Sequence, residues 1–290
     1  MLSPYYDRLT ACTTAIFLAF APISAVAHDG ALPLGDGNIS TSPKVGYVFS
    51  CTQTFRKRPG PAAGNGPWIK GDVWYPAEKP ALPATVVWQD GGSSVKLAGP
   101  LRIISSQSVP DHKTGDFPFA RGSLYQKYDR NPNSIQEQSI EVSVPAMPMI
   151  APQPTCLPMG PIGISLSGAM IYNALDADGH DAAAHEIQDE CSGHPQRRGQ
   201  YHYHSASPCL KEVGATTGGH SGLVGYAADG FGIFGPNDAS GTAVTNENLD
   251  ACHGHTETVI IDGKPQEIYH YHLTAEYPYS LGCFMGTPGR

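Results

Sequence analysis

The chain has 290 residues, a formal net charge of −8 at pH 7 and only 15% charged residues. The basic footprint that nucleic-acid binding requires is absent, which excludes recognition of DNA or RNA through phosphate neutralisation. The 33 glycines and 26 prolines are set among well-spread aromatic and β-branched residues, a pattern of turns between many short strands rather than of disorder.

Residues 13–24 form an apolar run shorter than the roughly 20 residues a membrane helix needs. Residues 25–27 read Ala-Val-Ala, a small-residue cleavage site. Residues 1–27 are therefore expected to be a signal peptide, and the mature protein to be soluble, periplasmic or extracellular, with no transmembrane segment. Cleavage after Ala27 leaves His28 at the new terminus, where amine and imidazole together offer an alternative copper chelate.

An irregular arm over residues 28–43 precedes expected strands at 45–54, 68–75, 84–88, 101–106 and 139–144, with turn clusters at 58–67 and 131–133. Residues 145–161 carry six prolines, cannot donate a regular ladder, and read as a linker. This divides the chain into an amino-terminal β-rich region, 28–158, and a second region, 159–290. One helix is expected, residues 182–188, N-capped by Asp181, with His185 and Asp189 on one face. The fold class is mainly β: a loop-heavy, disulfide-stabilised domain with one or few short helices.

The second region contains a duplication. Tyr-His-Tyr-His stands at 201–204 and again at 269–272, and each copy follows an Asp-x-Cys-x-Gly-His cluster: Asp189, Cys191, Gly193, His194 and Asp250, Cys252, Gly254, His255. The spacing is 62 from Gly163 to Gly225, 61 from Cys191 to Cys252 and 68 from His202 to His270. Two repeats, about 162–210 and 224–283, are fewer than a solenoid needs, so a pseudo-twofold domain is expected. In it the two His-x-His strands are expected to approach the internal axis and pool their imidazoles.

On a strand, i and i+2 side chains share a face, so His202 with His204 and His270 with His272 each form a ready ligand pair, tyrosines opposite. Neutral imidazole suits zinc, copper, nickel and iron. One such pair would read as packed core histidines; two, each preceded by Gly-His, point to a transition-metal site, copper or zinc, with His194 and His255 as further ligands. Asp189 and Asp250 are either ligands, acceptors fixing imidazole tautomers, or turn caps.

The copies differ. His253 stands where the first copy has Ser192, and Asp229 where it has Ser167, so the second copy holds the extra imidazole and acid. Asp229 and His253 are accordingly the candidate proton carriers if a reaction occurs. Cys12 leaves with the signal, and the remaining six cysteines are expected to pair in an oxidising compartment. Symmetry closes Cys191 with Cys209 and Cys252 with Cys283, leaving Cys51 with Cys156. The alternative makes Cys191 and Cys252 thiolate ligands beside His194 and His255.

These segments, together with Gly225-Tyr-Ala-Ala-Asp-Gly-Phe-Gly-Ile-Phe-Gly-Pro236 and Pro278-Tyr-Ser-Leu-Gly-Cys283, are similar to the YHYH domain family. The resemblance covers about residues 159–286 and implies an exported protein; it supplies no substrate. Three functional classes stay open: a metal-binding protein with saturated coordination, a metal-dependent hydrolase or oxidoreductase acting on a small molecule or glycan, and a metal-free surface or adhesion module holding a glycan or protein.

Overall fold

The structure is a computed structural model that describes residues 1, 30–55, 65–212 and 219–289. The signal segment, His28 and most of the 58–67 turn lie outside the described residues. Strands dominate, and the two α-helices are one turn long, Leu124–Tyr128 and Ala182–His185.

The scaffold is an eight-stranded sheet built from β1 (Pro161–Ser165), β2 (Met170–Tyr172), β3 (Gly193–Pro195), β4 (Tyr201–Tyr203), β5 (Leu223–Ala227), β6 (Gly232–Phe234), β7 (Gly254–Ile261) and β8 (Lys264–His272). Its order is β3-β4-β2-β1-β5-β6-β8-β7. Read outward from the antiparallel β1–β5 pair, both halves repeat one plan. A tight antiparallel hairpin (β1–β2, β5–β6) is followed by a parallel pairing to the Tyr-His strand (β2–β4, β6–β8), which in turn pairs antiparallel with the Gly-His strand (β3–β4, β7–β8).

Two glycines show why the centre closes so tightly. A Cβ on Gly163 would meet the Tyr226 carbonyl at 2.7 Å, and one on Gly225 the Ile164 carbonyl at 2.3 Å, so neither site admits a side chain without moving backbone.

Both faces of the sheet are covered. On one, the tyrosines of the two repeated words pack with Ile171, Ala227, Phe231 and Ile233. Val48, Trp68, Leu82 and Phe117 join the same core, which therefore runs across the expected 158/159 boundary. The middle of the other face, Ile164, Met170 and Tyr226, is covered by Ile104 and Val144 of a three-stranded sheet made of Ser93–Ala98, Leu101–Ser106 and Ile140–Pro145. Arg102 of this layer lies over the Tyr226 ring at 4.3 Å and pairs with Asp262 at 2.7 Å.

Several local expectations are corrected. Residues 101–106 and the 139–144 run do form strands, but 45–54 contributes only Val48–Phe49, 68–75 is a short hairpin of Ile69–Lys70 with Val73–Trp74, and 84–88 reduces to a bridge between Val86 and Thr114. The proline-rich 145–161 stretch is no free linker: Ile150–Thr155 pairs with Phe284–Gly286 alone, so its prolines fall where no donor is demanded. The helix stops at His185. Asp181 caps it, but Glu186 turns extended and the Ile187 amide donates to Asp129, a tertiary bond that ends the turn. His185 and Asp189 thus share no helix face.

Three disulfides join Cys51 to Cys156, Cys191 to Cys209 and Cys252 to Cys283. Cys191 and Cys252 are consequently not thiolate ligands.

Candidate metal centres

Strand pairing settles where the imidazoles go. His194 sits opposite His202 across β3–β4, and His255 opposite His270 across β7–β8, so every one of these rings shares the face that carries Met170 and Phe234. The Tyr-His strands β4 and β8 are separated by five strand spacings of about 4.8 Å, roughly 24 Å along the sheet. The expectation that both halves pool their ligands is therefore overturned: two pockets form, one on each flank of the covering layer.

The second pocket contains His220, His255, His270 and His272. Their Nε2 atoms approach at 3.0 Å (His220 to His270), 3.1 Å (His270 to His272) and 3.0 Å (His272 to His255). Such contacts would be hydrogen bonds if one ring of each pair offered a proton, but in three of the four rings the other nitrogen already faces a carbonyl. Nδ1–H of His220 donates to the Ser221 carbonyl at 2.8 Å, His270 to Ile268 at 3.0 Å and His272 to Gly235 at 2.7 Å. A carbonyl can only accept, so each of these rings carries a proton on Nδ1 and turns its Nε2 edge inward; for the neutral His270 and His272 that edge is a lone pair. Burial enforces neutrality: it pushes His270 and His272 down to about 3 and lowers His255. Lone pairs 3 Å apart repel unless a cation lies between them.

The first pocket contains His194, His202 and His204. Nε2 of His202 and His204 lie 3.1 Å apart, and their Nδ1 atoms face the carbonyls of Gln200 and Asn173. Tyr172 stacks on His202 at 3.9 Å. Burial depresses all three rings, His194 and His204 to about 4 and His202 well below its ordinary value. Glu186 reaches the same centre, its Oε2 3.2 Å from His194 Nε2 and 3.3 Å from His204 Nε2, and burial pushes its carboxyl up to about 7. His194 Nε2 and Glu186 Oε2 are buried, yet neither makes a hydrogen bond.

The opposite face explains the tyrosines. Tyr201 donates to Asp189 and Tyr269 to Asp250, each aspartate also accepting backbone N–H groups of its own Cys-x-Gly turn. Tyr203 meets Ser167 at 3.0 Å, and Tyr271 donates to Asp229. Asp189 and Asp250 thus cap turns and hold tyrosines. Asp229 lies on this tyrosine face, also accepting from the Phe231 and Gly286 amides, and is not brought to the imidazoles. His253, at φ +73°, faces Thr274 Oγ1 at 2.9 Å rather than joining the four-histidine cluster.

His220 and Glu186 escaped the sequence reading. His220 belongs to neither repeated word and has Pro158 at the matching earlier position; Glu186 fell inside the expected helix. The remaining cluster of His112 with Cys191 and Cys209 is tied up by the disulfide.

The fold is that of a β-rich, disulfide-linked protein with two buried histidine clusters. Residues 141–246 match the family model described as YHYH protein, and over this stretch the chain is similar to the YHYH family. The match takes in the whole first pocket and His220, and ends before the second Tyr-His-Tyr-His. No curated protein and no solved structure matches the chain.

Proposed function

We propose that this is an exported protein, derived by internal duplication, that binds two transition-metal ions, one in each half of the sheet, with zinc the first choice. The observation that carries the reading is the convergence of four Nε2 atoms, three of them on rings whose Nδ1 faces a backbone carbonyl. For tetrahedral zinc with Zn–N near 2.05 Å, ligand atoms lie about 3.3 Å apart, close to the spacings found. Five of the six ring pairs in the second pocket have centroids 4.8–5.1 Å apart. A square arrangement would lengthen two of the six by about 40%, so the geometry favours a tetrahedral ion over square-planar copper(II).

Four imidazole donors in the second pocket favour saturated binding there over an open catalytic position. The candidate carrier Asp229 faces the other way, which weakens the hydrolase and oxidoreductase readings. An adhesion module would have no use for inward-facing lone pairs. Three disulfides agree with an oxidising compartment, and among the described residues no helix is long and apolar enough to cross a membrane.

The test is metal analysis of protein purified under native conditions, compared with the His202→Ala/His270→Ala variant. The reading expects two equivalents of zinc in the wild type and a loss of both in the variant. Unchanged content in the variant, or none in the wild type, would end it.

A further inference from the structure

The two pockets are laid out alike on the sheet but differ in the fourth donor and in what covers the rim. In the first, three imidazole nitrogens lie within 4.8 Å of one another, and the added atom is Glu186 Oε2, which flanks them at 3.2 and 3.3 Å from the Nε2 of His194 and His204. It arrives there because the chain leaves the short helix at His185 in an extended conformation, aiming the carboxylate at β3 and β4. The three imidazoles around it are 3–4% exposed. In the second pocket the fourth donor is His220. His220 and His255 side chains form the rim, 12% and 25% exposed, and a carboxylate waits outside them: Glu257 Oε2 lies 3.8 Å from the Nε2 of each and is 33% exposed.

Resting on the metal reading above, we infer that Glu186 is a metal ligand and that the two pockets have different jobs: the first retains its ion, and the second exchanges its ion with solution. Two physical differences separate them. An anionic donor offsets part of the charge of a divalent ion and adds a charge attraction that a neutral imidazole does not supply. Exchange at a tetrahedral centre needs an incoming donor to reach the metal as an old one leaves; Glu186 is 20% exposed, but only the second pocket pairs partly exposed imidazoles with a further carboxylate, Glu257, beside them. Glu257 can take hold of a divalent ion as His255 swings outward and pass it to, or accept it from, an external ligand.

The experiment is release of zinc from the zinc-loaded full-length protein into an excess of a chromophoric chelator, followed by absorbance. Two phases of one equivalent each are expected. His255→Ala should remove the fast phase and leave the slow one, and Glu257→Gln should slow the fast phase without changing its amplitude. Glu186→Gln should accelerate the slow phase about tenfold or more, the scale on which shell residues set metal affinity, while Glu186→His, which restores a fourth imidazole, should return it toward the slow rate. Slow-phase kinetics unchanged in Glu186→Gln, or a fast phase that survives His255→Ala and vanishes in Glu186→Gln, would overturn the assignment. A wild type that retains no zinc would overturn the metal reading itself, and this inference with it.

Discussion

The two halves of the sheet carry the same plan to different ends. In the first, a carboxylate on the end of a helical turn completes three buried imidazoles; in the second, a histidine from the segment before β5 completes three more and the rim stays partly open. On the tyrosine face the contrast runs the other way. The first half holds Tyr203 with Ser167 and His112, the second holds Tyr271 with a buried aspartate whose carboxyl is raised by burial. A shared backbone thus sets where ligands and tethers point, while single positions decide their charge.

The largest effect should come from metal removal. An ion that binds only the folded chain stabilises it by about 4 kcal/mol when free metal is about 1,000 times Kd. Chelation should therefore lower Tm by roughly 10 °C per vacated site, since about 1 kcal/mol moves Tm by 2–4 °C in proteins approaching this size. Scanning calorimetry of His204→Ala and His272→Ala would show whether the halves contribute equally; no shift on chelation in either would break the comparison.

Acid should act next, on the metal-free protein. Burial depresses His194, His202, His204, His255, His270 and His272 below their ordinary 6.5, so the linked stability is fully present above that pH. It is lost as pH falls through about 4 for His194 and His204 and about 3 for His270 and His272. Equilibrium unfolding in urea at stepped pH should show stability declining below about 6.5, the contribution of His194 and His204 levelling off near 4 and that of His270 and His272 near 3; a flat profile from pH 7 to 4 would contradict the burial argument.

Much of this site was legible in advance because strand periodicity forces i and i+2 side chains to one face. His202, His204, His270 and His272 were bound to come in pairs, and the Gly-His strands supplied His194 and His255. What could not be read was which strands lie side by side. The repeated words stand two strands out from the β1–β5 pair on each side, a long-range pairing that local pattern does not encode, and it separates ligands the sequence suggested would meet. Glu186 was hidden because an Asp181-capped, alanine-rich start reads as a helix; only the Ile187–Asp129 bond stops it. His220 lacked any counterpart to mark it. The prolines of 145–161 suggested a linker, since one-sided edge pairing with the chain's last strand has no local signature.

The smallest effects concern the tethers. Tyr271→Phe leaves the buried Asp229 short of a donor and should cost about 2–3 kcal/mol, whereas Tyr203→Phe frees Ser167, which keeps Ser165 as partner, and the partly exposed His112, and should cost about 1 kcal/mol. Chemical denaturation of the two variants would check the ranking; equal losses would remove the charge distinction between the halves.

The most direct test of the central claim, two independent metal centres rather than one shared one, is counting zinc by native mass spectrometry in His204→Ala and His272→Ala taken singly. Each variant should keep one ion where the wild type holds two. Loss of both ions from either single variant, or of neither, would contradict the account.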